Sequence, residues 1–167
     1  MPGLPRTAAD ALVAKLYGMR RRNFDGAAPH HRRASQQPAV RLILLCESEL
    51  GIERGDFRAI LVEAVEISRQ TGAAYFTRHP NVFKDWLYGI RPVPPWATRL
   101  VCDLGRGLLR VSWISGRARR SIRHCLGEML VDLAGGQDEY EWLLSAMDDL
   151  LRGKPRPSGR GRIAQLT

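Results

Sequence analysis

The sequence has few of the residues on which several classes of protein depend. Its three cysteines, Cys46, Cys102 and Cys125, lie far apart without a CxxC pair, and an odd number cannot form a closed set of disulfides. We therefore expect three buried thiols in a reducing cytoplasm. The longest apolar run covers only residues 42–46, far below the roughly 18 residues needed to span a bilayer. A cytoplasmic protein with no membrane partner is expected.

Groups that carry catalysis or hold metals are also scarce. His30 and His31 lie in a polar stretch with no further ligands at the spacing of a zinc site. His124 and Cys125 are neighbours, and consecutive residues of a helix do not face each other. The GRG at Gly105 follows no strand, unlike a phosphate-binding glycine loop. We therefore expect no enzymatic activity, no metal and no cofactor.

Lysine is rare, since it supplies only three of the 26 cations. Lys and Arg outnumber the 17 Asp and Glu residues, which gives a net charge of +9 and favours a polyanionic partner such as nucleic acid. The planar guanidinium of arginine suits bidentate contact with phosphate or guanine. The charge is also segregated, because residues 78–124 carry a net +8 and residues 125–152 a net −6. The most basic block is therefore the first place to search for a nucleic-acid site.

Hydrophobic periodicity predicts an all-α chain. The first five helices are expected over residues 8–19, 38–50, 57–70 (with Asp56 as N-cap), 73–78 and 81–88. A sixth helix should begin at Pro94 and Pro95 and reach about residue 108. A seventh should contain the apolar residues from Ile122 to Leu133 and stop at Gly135, and an eighth should run from Asp138 to about residue 151. Pro80 is expected to start the fifth of these helices, because proline is tolerated in a first turn. Only residues 110–114 alternate like a strand, and an isolated strand has nothing to pair with.

Composition divides the chain into four parts. Residues 1–37 are predicted to be a flexible basic arm with one short helix, since residues 20–37 have almost nothing to bury. Residues 38–112 should form the folded domain. Residues 113–152 should form a C-terminal helical pair whose apolar residues either pack in the core or supply a dimer interface, and residues 153–167 should form a disordered basic tail.

The stretch HPNVFKDWLYGIRPVPPW at residues 79–96 is the most specific functional signal. Phe83 and Trp86 are three residues apart, so they share the buried side of a short helix. The other side is expected to carry His79, Asn81, Lys84 and Asp85. Asparagine binds adenine in a bidentate manner, histidine and lysine reach guanine or phosphate, and aspartate accepts from cytosine. The helix is therefore a credible reader of DNA bases.

This stretch resembles the helix-turn-helix of the lambda-repressor-like family of phage, plasmid and chromosomal regulators, over roughly residues 57–105. The positions that fall on the family pattern are Pro80, Phe83, Trp86 and Gly89. The sequence departs from the pattern at Thr77, where the family has a glycine, and Phe83 is bulkier than the usual aliphatic residue. The resemblance implies a helix-turn-helix domain that binds double-stranded DNA as a homodimer.

The resemblance also assigns roles to individual residues. Base contacts are implied for His79, Pro80, Asn81 and Asp85. Contacts with the sugar-phosphate backbone of DNA are implied for Arg78, Lys84 and Arg91. An arginine cluster at the start of a later helix is expected to form a phosphate clamp beside the base-reading helix. The alternative is that these arginines form a solvated face or pair with the acidic last helix. That cluster consists of Arg117, Arg119, Arg120 and Arg123.

We therefore expect a sequence-specific DNA-binding protein of the kind that regulates transcription in bacteria, phages or plasmids. Two alternatives stay open. A helical interaction or assembly factor would direct its arginines at an acidic protein. A basic RNA-binding protein would need an exposed aromatic platform for unpaired bases, of which the sequence shows no sign.

Overall fold

Seven helices make up the part of the chain that the structure describes. The computed structural model describes residues 3–21, 35–68 and 72–133. Its helices are α1 (Arg6–Met19), α2 (Pro38–Leu50), α3 (Arg54–Ile67), α4 (Gly72–Arg78), α5 (Val82–Leu87), α6 (Pro95–Leu109) and α7 (Gly116–Leu133). No strand occurs among these residues, so the prediction of an all-α fold is confirmed for the described ranges. None of these helices is long and apolar enough to cross a membrane.

Proline and glycine set several helix boundaries. α6 begins at Pro95 after an extended Pro94, and α2 begins at Pro38 and ends at Gly51, whose φ of 72° is the left-handed conformation typical of glycine at a helix end. α3 begins at Arg54, so Asp56 lies inside its first turn rather than at the predicted N-cap. A carboxylate in a first turn still stabilises the helix, because the N-terminal end is partially positive.

α6 is the central helix of the fold. Nearly all of residues 97–109 are buried, because α1, α2, α3 and α7 all pack against this helix. Two glycines allow the closest approaches. A Cβ on Gly105 would lie 2.7 Å from Leu126 Cδ2, and a Cβ on Gly107 would lie 2.8 Å from Val13 Cγ2. Both glycines therefore serve the packing of α7 and α1 on α6.

α6 also carries charge into the core. Asp103 is only 1% exposed; it accepts hydrogen bonds from the Leu4 N–H at 2.8 Å and from Arg106 Nη1 at 3.2 Å. Arg99 is buried as well, and burial lowers the pKa of its guanidinium, while the charge of Asp103 acts in the opposite direction. Buried charges are stable only when they are paired. Asp103 therefore ties the segment before α1 to the central helix.

α1 packs into the core, although composition predicts that the folded domain begins at residue 38. Leu12, Val13 and Leu16 are buried, and Asp10 Oδ1 accepts from Arg110 Nη2 at 2.7 Å. The sequence shows the apolar stripe of α1 but not the surface that covers this stripe, because that surface lies about 90 residues further along the chain.

Several predicted segments lie outside the described residues: residues 22–34 of the linker, the helix expected from Asp138, and the tail at residues 153–167. Arg21 and Ser35, the residues that flank this part of the linker, are both held by backbone hydrogen bonds. The Arg21 N–H donates to the Gly51 carbonyl at 3.0 Å, and the Ser35 N–H donates to the Leu87 carbonyl at 2.7 Å. These hydrogen bonds lie at opposite ends of α2, since Ser35 precedes this helix and Gly51 ends it.

Candidate nucleic-acid interface

Two short helices, α4 and α5, meet at the start of the motif at residues 79–96: α4 ends directly before the motif, and α5 lies within it. The turn between them covers residues 79–81, and the Val82 N–H donates to the His79 carbonyl at 3.0 Å. The predicted boundaries are correct to within one residue, except that Pro80 lies in the turn and does not start α5. α5 has six residues, which makes it about 9 Å long. Fewer than two turns of helix are therefore available for contact with a groove.

An aromatic cluster fixes α4, α5 and the start of α6 relative to one another. Its members are Tyr75, Phe76, Phe83, Trp86 and Trp96. The Tyr75 ring lies 5.0 Å from that of Trp96 and 6.5 Å from that of Trp86, between ring centroids. Trp86 and Phe83 are buried, which confirms the predicted inner side of α5. Each aromatic pair contributes about 0.5–1.5 kcal/mol beyond its buried area, so the two short helices are firmly held.

The opposite side of this helix pair is polar, basic and exposed. The exposed residues are Arg78, His79, Pro80, Asn81 and Lys84. The His79 ring lies 4.9 Å from the Tyr75 ring between centroids, which fixes its position on the surface. Within the described ranges neither Arg78 nor Lys84 makes an ion pair. Their charge is therefore available to an external anion.

Asp85 and Arg91 are engaged with each other. Arg91 Nε lies 3.1 Å from Asp85 Oδ2, with side chains that are 60% and 19% exposed respectively. The Asp85 carbonyl also accepts from the N–H of Ile90 at 2.8 Å and from that of Arg91 at 3.3 Å. Asp85 thus holds the loop after α5, and its carboxylate is directed to Arg91 rather than to the open surface.

The arginines of α7 divide into two groups. Arg119 donates to the Leu109 carbonyl and, at 2.8 Å, to the Val111 carbonyl, so it supports the loop after α6. Arg123 is half-buried, and burial, followed by the charge of Arg119, lowers its pKa. Arg120 is exposed, and Arg117 is 76% exposed with its Nη2 3.4 Å from Glu49 Oε2. Of the four arginines in α7, Arg117 and Arg120 therefore form the exposed basic surface.

The predicted clamp requires the α7 arginines to lie beside α5, but they lie elsewhere. The aromatic cluster contacts α6 at Trp96, near its first residue, whereas Arg119 contacts the carbonyl of Leu109, its last residue. α6 has 15 residues and is therefore about 22 Å long. The two basic regions are at opposite ends of this helix.

Comparison of the chain with known proteins gives no relative from which a role could be transferred. No family model, curated protein or solved structure matches it. The resemblance to the lambda-repressor-like family therefore stays a prediction from the motif.

Three residues near α4 and α5 were missed by the sequence argument. The Arg58 guanidinium carbon lies 5.3 Å from the centroid of Phe76, which adds a cation beside α4. Gln37 Oε1 accepts from the Val93 N–H at 2.8 Å, and Ser35 contacts Leu87 as described above. No local pattern indicates these contacts, because each joins residues that are far apart in the sequence.

The cysteines and His124 lie in other surroundings. Burial raises the pKa of the Cys46 thiol to about 12 and also raises the pKa of Cys102. Cys125 is buried too, so the prediction of three buried thiols is confirmed. His124 Nε2 lies 3.4 Å from Glu128 Oε2, one turn along α7. A thiol attacks as its thiolate, so the raised pKa values make Cys46 and Cys102 unreactive near neutral pH.

Proposed function

We propose that this protein binds double-stranded DNA through the exposed side of α4 and α5 and acts as a transcriptional regulator. We call this side the α4/α5 surface; it consists of Arg78, His79, Pro80, Asn81, Lys84 and Arg91. One observation carries the proposal: these cationic and polar side chains are exposed on a helix pair whose inner side is held by the aromatic cluster. Groups that read DNA must be held in fixed register by a rigid support.

The residues of this surface divide by their chemistry. Arg78 and Lys84 are assigned to phosphate, because their charge is not neutralised by any described carboxylate and release of counterions from phosphates supplies much of the affinity for DNA. Asn81 lies in the turn that leads into α5, so its amide is assigned to a base edge, with adenine as the natural match. His79 is placed beside it and adds a second hydrogen-bonding group.

Arg91 joins the phosphate contacts without giving up its partner. Its Nε is directed to Asp85, while a guanidinium carries five N–H donors. A 60% exposed side chain therefore still presents donors to a phosphate. The ion pair restricts the motion of Arg91, which lowers the entropy lost when it binds.

We further propose that the protein acts as a homodimer. A helix of fewer than two turns reads only a few base pairs, and proteins of this type gain specificity by binding two half-sites about one helical turn of DNA apart. Light scattering of the free protein and of its complex with a selected duplex would give the stoichiometry; a single protomer on a non-repeated site would contradict the dimer.

Selection from a pool of randomised duplexes tests the assignment of Asn81. The wild type should enrich a defined sequence, and Asn81→Ala should relax the preference at one position by about 1–3 kcal/mol. The matched control is Gln36→Ala, which removes an exposed amide outside the α4/α5 surface and should leave the selected sequence unchanged.

The phosphate contacts are tested by titration of the selected duplex at several salt concentrations. Arg78→Ala and Lys84→Ala should each weaken binding to all duplexes alike and reduce the slope of log K against log salt by about 1. Arg6→Ala serves as control, because it removes an exposed cation on α1. If Asn81→Ala keeps the wild-type preference and both cation variants keep the wild-type affinity, this surface does not bind DNA.

A further inference from the structure

A second arginine and aromatic cluster lies at the other end of α6. The Tyr17 ring at the end of α1 lies 5.0 Å from the Trp113 ring, between centroids, at an angle of 57°. The Arg20 guanidinium carbon lies 4.2 Å from the Tyr17 centroid and 5.0 Å from that of Trp113. We call these three residues the Tyr17/Trp113 cluster. The Tyr17 side is open to solvent, since this residue is 46% exposed.

The cluster is held by contacts from three directions. Arg119 supports the loop that carries Trp113 through hydrogen bonds to the Leu109 and Val111 carbonyls. Ile114, the next residue, is buried and anchors the same loop. The Arg21 N–H donates to the Gly51 carbonyl, which fixes the chain directly after Arg20. The aromatic rings are therefore part of a rigid surface and not of a loose loop.

The rim of this cluster is basic. Arg117 begins the α7 side of the rim and reaches Glu49 in the last turn of α2, two residues before the Gly51 carbonyl that binds Arg21. Arg120 is exposed one turn further along α7. Glu49 is half-buried and already directed to Arg117. An anion that approaches Tyr17 therefore meets a surplus of guanidinium groups.

We propose that the Tyr17/Trp113 cluster binds single-stranded nucleic acid, with an unpaired base stacked on Tyr17 or on the guanidinium above it and with phosphates against Arg117 and Arg120. Exposed aromatic rings and arginine planes are the surfaces on which unpaired bases stack, and neighbouring cations neutralise the backbone. A duplex fits this surface less well, because its base faces are already stacked on one another.

This second surface is independent of the α4/α5 surface. It lies at the C-terminal end of α6, whereas α4 and α5 contact the N-terminal end, and it shares no residue with that surface. Single-strand binding and duplex binding can therefore be tested independently of each other.

Fluorescence anisotropy of labelled oligothymidylate and oligouridylate of about 12 nucleotides tests the proposal with the full chain. Tyr17→Ala should weaken binding by about tenfold, the lower part of the range for loss of one stacked base. Tyr17→Phe keeps the ring and should bind like the wild type. Arg20→Lys keeps the charge but loses the planar group, so it should also weaken binding. A preference for one oligonucleotide identifies the strand as DNA or RNA.

Matched variants separate the two surfaces. Arg78→Ala should leave single-strand binding unchanged, while Tyr17→Ala should leave duplex binding unchanged; circular dichroism confirms that each variant is folded. The proposal is overturned if the wild type binds neither oligonucleotide, or if Tyr17→Ala binds both as tightly as the wild type. It is also overturned if Tyr17→Ala and Ala11→Ser, an exposed position on the same helix, weaken binding equally.

Discussion

Gly107 and Gly127 are both interior residues of helices, yet their surroundings are opposite. A Cβ on Gly107 would lie 2.8 Å from Val13 Cγ2, whereas a Cβ on Gly127 would have nothing within 4 Å. Glycine in a helix costs about 1 kcal/mol relative to alanine. At Gly107 the absence of a side chain allows α1 to approach α6, which offsets this cost. At Gly127 nothing in the described structure offsets the cost.

The two substitutions should therefore change stability in opposite directions. Gly127→Ala should raise the free energy of unfolding by about 1 kcal/mol. Gly107→Ala should lower the free energy of unfolding by about 1 kcal/mol. Overpacking costs about 1–3 kcal/mol, and because Val13 is stiff at χ1 this cost exceeds the gain in helix propensity. Urea unfolding followed by circular dichroism measures both. Stabilisation by Gly107→Ala would mean that α1 does not pack on α6 as described.

Other single residues show where sequence argument succeeds and where it stops. The burial of Phe83 and Trp86 follows from their spacing of three, which is a local property of a helix. The roles of Asp85 and Arg119 do not follow from spacing. A charged side chain on a helix surface has the same sequence signature whether it faces solvent, an ion-pair partner or a backbone carbonyl.

At the scale of elements, α5 combines a buried side with a very short exposed side. Its exposed turn is bordered by the ion pair between Asp85 and Arg91, which places a carboxylate close to the proposed phosphate contacts. Such a carboxylate repels DNA. Because Asp85 is the partner of Arg91, its removal also makes more of the guanidinium available.

Asp85→Asn should therefore increase the affinity for duplex DNA and steepen its salt dependence by up to about one counterion. Stability should fall by about 1 kcal/mol or less, because the ion pair is open to solvent on the Arg91 side, although the Asp85 side chain is only 19% exposed. Glu53→Gln is the control, since it removes an exposed negative charge before α3. Titration of the same duplex compares the three proteins. A change in the selected sequence would show instead that Asp85 contacts a base.

At the scale of the whole molecule, α6 is the axis on which the other helices are arranged. α1 covers part of it with buried Leu12, Val13 and Leu16, and the Leu4 N–H binds buried Asp103. The N-terminal region therefore contributes to the stability of everything that follows it. The two basic surfaces at the ends of α6 keep their separation only while this core is intact.

Removal of residues 1–19 should consequently unfold the protein or leave it barely stable. Each large apolar side chain that loses its burial costs about 1.5–3 kcal/mol, and domains of this size have only about 5–15 kcal/mol of stability in total. Thermal unfolding of the chain that begins at residue 20 measures this effect. A cooperative transition at the temperature of the full chain would support the folded domain at residues 38–112 that composition suggests.

By itself the sequence determined the helical class, most helix positions within the described ranges, the buried side of α5 and the burial of the three thiols. These depend on local periodicity and on the short-range effects of proline and glycine. Only the tertiary structure decided that α1 is part of the core, that Asp85 faces Arg91, and that Tyr17 meets Trp113. Each of these contacts depends on how the chain folds back on itself after an element ends, and local periodicity does not determine which of the possible partner surfaces is selected.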